Sequence, residues 1–304
     1  MGSQYLILKD QRILSYKEYG ALNGYPVIYY HGSQSSRFEM HHNMHFADKH
    51  ALRVIAIDRP GHGDSCFNPF GSLLSFADDV AQLLSALGIT KCSVLGMSAG
   101  APFAMAFAYK YPESVHKLGL VSGFGPLSKV NTGRLSREVR LMLGIAKTFP
   151  WLLRLMLVLQ RRRMDKQSGE ALKDYLSIMS FPDQEILQDR PVLDVINKTF
   201  REAFKKGSKG VAYEISKILV RDWGFDLGKI PANTLIWHGY EDNNVPVNWS
   251  MYFRAFIPNS DLKIIKDEGH LILFKYASNI FLDLKDDHVA YAINERKSAK
   301  SVSE

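Results

Sequence analysis

The stretch Gly96-Met97-Ser98-Ala99-Gly100 follows the apolar run Cys92-Ser93-Val94-Leu95 and precedes the small-residue run Ala101-Pro102-Phe103-Ala104-Met105-Ala106. The first run predicts a buried strand and the second a helix. A Gly-x-Ser-x-Gly sequence between a strand and a helix is typical of a sharp turn that exposes the serine hydroxyl. A side chain at either glycine would collide with the neighbouring strand or helix. We therefore predict that Ser98 is the nucleophile of an acyl-transfer enzyme.

Length and composition are those of an ordinary globular protein. The chain has 304 residues, of which 46% are hydrophobic and 23% charged, and this predicts one large domain or one domain with an insertion. Two cysteines, Cys66 and Cys92, are too few for a disulfide framework. Residues 1–5 do not resemble a signal peptide, and the longest apolar run, 149–159, is too short to cross a bilayer. We expect a cytoplasmic protein without stable membrane insertion.

The net charge of +7 raises the question of nucleic acid or anionic lipid as a partner. Basic residues are scattered, apart from clusters at 161–163, at 205–206 and in the C-terminal tail around Arg296, Lys297 and Lys300. No stacking aromatic residues alternate with these clusters, as a single-strand binder would need. Solvated basic faces and no nucleic-acid partner are the prediction. No oligomeric state is specified by the sequence.

Short β-type runs alternate with helical patterns, which predicts an α/β fold with a mostly parallel sheet of eight strands and helices on both faces. The predicted strands are residues 5–8, 13–19, 27–30, 54–57, 92–95, 115–121, 234–237 and 262–265. Helices of this core are predicted at residues 37–50, 73–87, 101–106, 247–256 and 279–294.

Residues 123–222 contain helical patterns only, at 134–147, 151–163, 168–179, 183–188, 192–205 and 210–220. An insert of this length is too long for a connecting loop. We predict a cap over the carboxyl ends of the strands, where open α/β sheets hold ligands. The alternative is a helical decoration at the side of the sheet. The chain is thus divided into a core of residues 1–122 and 223–296, a cap of residues 123–222, and a disordered tail of residues 297–304.

A serine hydroxyl attacks carbonyl groups only with help from an imidazole that takes its proton and a carboxylate that orients the imidazole. On this type of sheet the partners follow in the order serine, acid, histidine. The loops after the last two predicted strands supply Asp242 and His270. Glu241 adjoins Asp242, but the spacing to Val245-Pro246 favours Asp242.

Four motifs in this order resemble the α/β-hydrolase superfamily, over the whole chain outside the cap and tail. They are His31-Gly32-Ser33, Asp58-Arg59-Pro60-Gly61-His62-Gly63-Asp64-Ser65, the turn at residues 96–100, and Gly239-x-x-Asp242-x-x-Val245-Pro246 followed by Gly269-His270. Residues 31–37 are also similar to bacterial hydrolases with a His-Gly-x-Pro-x-Ser-Arg segment, although Gln34 replaces the proline.

The resemblance implies a role for each matching residue. Ser98 would be the nucleophile, His270 the general base and then acid, and Asp242 its orienting acid. The backbone N–H groups of Ser33 and Ala99 would form the oxyanion hole. The resemblance also implies a small-molecule substrate and no cofactor.

Other polar residues have simpler explanations. His62 and Asp64 could form a second acid–base pair, but a tight turn in which Asp58 bonds the backbone explains them better. His31 is predicted to order the loop that carries Ser33 (the oxyanion loop) without transferring protons. His41, His42 and His45 include an i, i+4 pair, but no second ligand motif accompanies them, so we predict no metal site.

For the substrate pocket we predict Met97 and Phe124, which could equally be core residues, together with Trp151 and Leu155 from the cap. The apolar cap face that includes Trp151 and Leu155 is expected to pack on its neighbours or to roof an acyl pocket. A membrane contact, aided by Arg154 and residues 161–163, is a secondary interpretation.

These observations predict a serine hydrolase that cleaves a carboxylic ester of a small, largely apolar substrate through an acyl-enzyme. The same triad serves thioesterases, lactonases, carbon–carbon bond hydrolases, cofactor-free haloperoxidases and proline-type aminopeptidases, which stay open. A ligand receptor that turns over slowly is the alternative outside these enzymes. Epoxide hydrolases and dehalogenases are disfavoured, since they need an aspartate where Ser98 stands.

Overall fold

The computed structural model describes residues 3–127, 129, 135–166 and 179–285. Its sheet has eight strands, in the spatial order β1-β2-β4-β3-β5-β6-β7-β8. The strands are β1 (Gln4–Ile7), β2 (Ile13–Gly20), β3 (Tyr25–Tyr30), β4 (Leu52–Ile57), β5 (Cys92–Met97), β6 (Val115–Val121), β7 (Asn233–Gly239) and β8 (Ser260–Ile265). Strand β2 pairs antiparallel with β1 and β4, and all other pairs are parallel. The predicted fold class is confirmed.

Helices cover both faces of the sheet because successive strand residues point to opposite sides. Ile28 and Tyr30 belong to one hydrophobic cluster, and Val27 and Tyr29 belong to the other. The core helices are α1 (Met44–Lys49), α2 (Leu73–Ala86), α3 (Ala101–Lys110), α9 (Asn248–Phe256) and α10 (Ile272–Leu284). Residues of α2, α3 and α9 pack in the first cluster, and residues of α1 and α10 pack in the second.

Helix α2 shows how the local sequence determines where a helix begins, which face it buries and where it ends. The Ser72 hydroxyl accepts a hydrogen bond from the Ser75 backbone N–H, and the Ser75 hydroxyl donates back to the Ser72 carbonyl, which closes the first turn. Its apolar stripe, which includes Phe76 and Val80, is buried. Gly88, just after the helix, has a φ of 65°, a left-handed conformation that suits glycine.

Two predicted helices differ from the structure. In place of a helix over residues 37–50, a 3₁₀ turn at Glu39–Asn43 precedes α1. The backbone before this turn does not form a helix, because its N–H groups bond to distant side chains. The Arg37 N–H donates to Asp58 Oδ1, and the Ser36 N–H donates to Thr199 Oγ1. The helix predicted over residues 279–294 begins instead at Ile272, because the apolar residues at its start are buried against the sheet. The end of that prediction and the tail of residues 297–304 lie outside the described residues.

The regular elements in the described part of the insert between β6 and β7 are all helical, with no strand in residues 123–127, 135–166 and 179–222. It contains α4 (Arg137–Thr148), α5 (Pro150–Lys166), α6 (Phe181–Ile186), α7 (Arg190–Ala203) and α8 (Lys209–Tyr213), which continues as a π-helical turn at Glu214–Leu219. The predicted helix at residues 168–179 lies, except for Met179, outside the described residues. In the ranges that the structure describes, no helix combines the length and apolar character needed to cross a membrane.

Candidate active site

Ser98 occupies a sharp turn between β5 and α3. Its φ of 52° lies in the left-handed region, which non-glycine residues rarely adopt outside functional sites. A Cβ on Gly96 would lie 2.7 Å from Ala101 Cα, and one on Gly100 would lie 2.2 Å from the Tyr30 carbonyl oxygen. The predicted collisions with the helix and with the neighbouring strand are confirmed. Within the described residues the Ser98 hydroxyl makes no hydrogen bond, and the residue lines a cavity.

The loops after β7 and β8 bring a carboxylate and an imidazole together. His270 Nδ1 lies 2.7 Å from Asp242 Oδ2, and because a carboxylate only accepts, Nδ1 carries the proton. Asp242 Oδ1 accepts the backbone N–H groups of Asn244 and Val245 at 2.9 and 2.8 Å. Glu241 is exposed. Of the two candidate acids, Asp242 is therefore the one beside the histidine.

Burial and charge act in opposite directions on this pair. Burial alone would lower the pKa of His270, but the adjacent Asp242 carboxylate outweighs it and raises that pKa above 6.5. Burial alone would raise the pKa of Asp242, but the imidazoles of His270 and His238 hold it well below its usual range. Asp242 is therefore ionised, and it stabilises a proton on His270.

His238, which was not among the predicted site residues, places a second imidazole beside the same carboxylate. Its Nε2 lies 2.7 Å from the Val245 carbonyl oxygen and 3.2 Å from Asp242 Oδ2, while Nδ1 lies 2.6 Å from Ser250 Oγ. Because a carbonyl oxygen only accepts, Nε2 carries a proton, and Nδ1 is hydrogen-bonded to the Ser250 hydroxyl. His238 thus contacts the same carboxylate oxygen, Asp242 Oδ2, as His270 does. The sequence signal that could have identified His238 is its position directly before the Gly239-x-x-Asp242 motif.

Ser33 and Ala99, the predicted oxyanion residues, line the same cavity as Ser98 and His270. A buried carboxylate holds the loop that carries Ser33. Glu39 Oε2 accepts the Gly32 N–H at 3.0 Å, and Oε1 accepts the Ser35 hydroxyl at 2.8 Å. Glu39, which was not among the predicted site residues, thus holds both the backbone and a side chain of this loop.

The imidazole of His31 is fully buried, and its Nδ1 lies 2.8 Å from the Gly32 carbonyl oxygen. Burial lowers the pKa of His31 well below its usual value, so the ring is neutral. These contacts agree with the predicted role of ordering the oxyanion loop.

The cavity has a volume of about 310 Å³ and lies between the sheet and the insert. Met97 and Phe124 line it, as predicted, and the insert adds Met142, Gln160 and Phe200. The prediction that Trp151 and Leu155 line it is wrong, because they are 67% and 48% exposed on the outer face of α5. This helix has apolar residues on several sides, so its sequence does not indicate which face turns inward. Leu153, Leu157 and Met164 are the buried ones.

A carboxylate of the insert holds the histidine loop. Asp183, at the start of α6, is fully buried, and its Oδ2 and Oδ1 accept the backbone N–H groups of His270 and Leu271 at 2.9 and 2.7 Å. The Ser180 hydroxyl donates to Oδ2 at 2.6 Å. Both oxygens are therefore used to fix the backbone of the candidate base. No motif marks Asp183, which lies 87 residues before His270.

A second buried carboxylate, Glu214, joins the insert to the oxyanion loop. Its Oε1 lies 2.8 Å from Arg59 Nη2 and its Oε2 lies 2.5 Å from Arg59 Nε. The same guanidinium donates from Nη2 to the Gly32 carbonyl oxygen at 3.0 Å. Nearby, the backbones of Gly61 and Gly210 approach so closely that a Cβ on Gly61 would lie 2.6 Å from Gly210 Cα.

The turn after β4 is structural. Burial lowers the pKa of His62 to about 4, and Asp64 is paired with Arg37 and Lys205 at 2.8 and 2.7 Å. Within the turn, Asp58 Oδ2 accepts the backbone N–H of Asp64 at 3.4 Å, and its Oδ1 accepts the backbone N–H of Arg37, outside the turn, at 2.7 Å. In the described part of the chain, no group of three or more His, Cys, Asp or Glu residues could hold a metal ion.

Replacing Asp183 with asparagine is expected to lower kcat by about ten- to a hundredfold, a loss typical of small displacements of a catalytic group. The amide would offer one acceptor oxygen to two backbone donors, and its NH₂ would face an N–H. A loss of packing alone would leave the pH dependence of kcat/KM unchanged, whereas a displaced imidazole would shift its acid limb. The exposed Asp194→Asn variant on α7 is the matched control. Unchanged kcat and pH profile in Asp183→Asn would contradict the prediction.

Comparison with known proteins agrees with this architecture. The family model of the alpha/beta hydrolase fold matches residues 25–276. A hydrolase structure from Pseudomonas aeruginosa superimposes with a TM-score of 0.69 at 19% identity, covering 93% of this chain and 97% of the other. At that identity the likeness shows the fold alone.

Proteins with similar sequences are named for different activities, and some have no named activity. An uncharacterized protein of Mycobacterium tuberculosis is 32% identical over 222 residues, which cover 71% of this chain and 62% of the relative. A bifunctional esterase/perhydrolase of Acinetobacter calcoaceticus is 31% identical over 140 residues, 44% of this chain and 51% of that protein. A 2-hydroxy-6-oxononadienedioate/2-hydroxy-6-oxononatrienedioate hydrolase of Burkholderia vietnamiensis is 27% identical over 241 residues, 78% and 76% of the two chains. The match thus spans about three fifths of the mycobacterial relative. From the family match and the topology together, the chain belongs to the alpha/beta hydrolase fold family.

Proposed function

We propose that this protein is a serine hydrolase that cleaves a carboxylic ester of a small, largely apolar substrate through an acyl-enzyme. The observation that carries the proposal is the hydrogen-bonded His270–Asp242 pair, which opens onto the same cavity as Ser98 on its strained turn. The tautomer set by Asp242 leaves His270 Nε2 without a proton and ready to accept one.

The proposed reaction has two halves. Ser98 Oγ attacks the ester carbonyl carbon while His270 Nε2 takes its proton. The N–H groups of Ser33 and Ala99 donate to the resulting oxyanion, and such donors contribute roughly 3 kcal/mol each. The imidazolium then protonates the departing alkoxide as the acyl-enzyme forms. Water, deprotonated by His270, attacks the acyl-enzyme and releases the acid and the Ser98 hydroxyl.

The lining of the cavity supports an uncharged substrate. Apart from His270, the ionisable side chains among its described lining residues are those of Glu39 and Glu138, and neither lysine nor arginine is among them. Two carboxylates would repel an anionic substrate. The Burkholderia relative is named for a dicarboxylate, so this charge pattern favours a neutral ester over that substrate.

Labelling with a fluorophosphonate, followed by an ester panel, tests the proposal. We expect one equivalent of probe on the wild type, no labelling of Ser98→Ala, and full labelling of the matched control Ser85→Ala on the outer face of α2. In a series of neutral esters, kcat/KM should rise about fourfold per added acyl CH₂ until the cavity is full, from about 0.8 kcal/mol per buried CH₂. Folded protein that neither labels nor hydrolyses any ester would overturn the proposal.

The pH dependence follows from the pKa of His270. The base must be neutral, so kcat/KM should fall as the pH decreases through that pKa. Because Asp242 raises it, we expect the acid limb of the wild-type profile to lie above pH 6.5. A pH–rate profile with a neutral ester measures this directly. An acid limb below pH 6.5 would contradict the assignment of His270 as a base paired with an ionised carboxylate.

A further inference from the structure

Helices α4 and α5 carry most of the positive surplus of the chain. Residues 137–166 contain eight basic and two acidic residues, a net charge of +6, whereas the whole chain has +7. The basic residues are Arg137, Arg140, Lys147, Arg154, Arg161, Arg162, Arg163 and Lys166. The remaining 274 residues are therefore close to neutral, and the charge that the composition suggested for the whole protein belongs to one helical hairpin.

The same hairpin exposes large apolar side chains. Trp151, Leu155 and Leu159 follow one another at intervals of four residues and therefore share one face of α5. They are 67%, 48% and 50% exposed. Arg162 is also exposed and stands about three helical turns after Trp151, on the same face. We call this face, together with the exposed Arg154, the α5 outer surface.

The inner side of the hairpin lines the cavity. Met142 of α4 and Gln160 and Met164 of α5 contribute to its wall. A molecule bound at the α5 outer surface would thus lie one helix thickness, about 10 Å, from the candidate active site. The surface and the site are parts of one structural unit.

We propose that the α5 outer surface docks on lipid bilayers that contain anionic headgroups. A helix face with tryptophan and leucine bordered by arginines has the composition of helices that lie in a membrane interface. Tryptophan favours the headgroup level, and arginines attract anionic lipid. Charge complementarity thus selects an anionic bilayer as the occupant. The docking does not depend on the proposed ester chemistry, so Ser98→Ala should bind vesicles as the wild type does.

Co-sedimentation of the full chain with phosphatidylcholine vesicles, with and without phosphatidylglycerol, tests the proposal. We expect binding to the anionic vesicles, weak binding to the neutral ones, and loss of binding at high salt. Arg154→Glu combined with Arg162→Glu should weaken the partition coefficient more than tenfold. Trp151→Ser combined with Leu155→Ser should weaken it by a similar factor. Phe70→Ser, which removes an aromatic side chain 90% exposed elsewhere, is the matched control and should bind normally.

Circular dichroism of each variant separates lost docking from lost folding. Equal partition of the wild type into neutral and anionic vesicles would overturn the proposal, as would normal binding by both folded double variants. Sedimentation velocity adds a further arm. A dimer that dissociates in the Trp151→Ser, Leu155→Ser variant, with no vesicle binding by the wild type, would assign the surface to a second copy of the chain and reject the bilayer.

Discussion

Replacing Asp242 with asparagine is expected to lower kcat by about 10⁴-fold, the cost of the wrong imidazole tautomer in serine hydrolases. The carboxylate now accepts from His270 Nδ1 at 2.7 Å. An amide nitrogen in its place would donate to Nδ1 and move the ring proton to Nε2, where it would block transfer from Ser98. The loss should appear in kcat with a neutral ester, and the acid limb of kcat/KM should move to lower pH because the charge that raises the pKa of His270 is gone.

Glu241→Gln is the matched control, since Glu241 adjoins Asp242 but is exposed. We expect its kcat to stay within about twofold of the wild type, as for surface changes away from a site. The Asn244 and Val245 N–H groups could still donate to the remaining amide oxygen of Asp242→Asn, so the loop should keep its shape. A loss of less than tenfold in a folded Asp242→Asn variant would contradict the role assigned to this carboxylate.

Replacing Glu214 with glutamine is expected to lower the free energy of unfolding by about 3–5 kcal/mol, as when one partner of a buried ion pair is removed. The guanidinium of Arg59 is fully buried and would keep its charge without a compensating carboxylate. Urea unfolding followed by circular dichroism measures the change. Because Arg59 also bonds the Gly32 carbonyl at 3.0 Å, kcat should fall as the oxyanion loop loosens.

The matched control is Asp283→Asn, which breaks a partly exposed ion pair with Lys263 whose two atoms are 2.7 Å apart. A change within about 1 kcal/mol is expected there, because solvent screens such pairs. If Glu214→Gln were no more destabilising than Asp283→Asn, the Arg59–Glu214 pair would not hold the insert to the core.

The sequence was sufficient for the parts of the site whose chemistry is local. Ser98 stands in a turn that needs two glycines, and Asp242 and His270 follow strands that the apolar runs predict. Their residue types follow from the proton transfer, and their order along the chain follows from the type of sheet. Strands β2 to β7 were predicted for a similar reason, since each is a short and largely buried run between turns, whereas the edge strands β1 and β8 contain only half-buried and exposed residues.

The contacts of the insert could not be predicted in this way. Asp183 and Glu214 are ordinary acidic residues in helical segments, and their partners lie 87 and 155 positions away along the chain. Only the folded arrangement makes them buried. The same reason explains the error at Trp151 and Leu155, because a helix with apolar residues on several sides has no unique inward face until its neighbours are in place.

The glycine-to-glycine approach at residues 61 and 210 has a practical consequence for engineering. The backbones of Gly61 in the core and Gly210 in the insert are in direct contact, so neither position tolerates a larger residue. An insert transplanted from another hydrolase would bring its own backbone path and would need a matching glycine, a partner for Arg59 and an acceptor for the histidine loop. Chimeras designed as whole matched sets of these three junctions should therefore succeed where exchange of the helices alone fails.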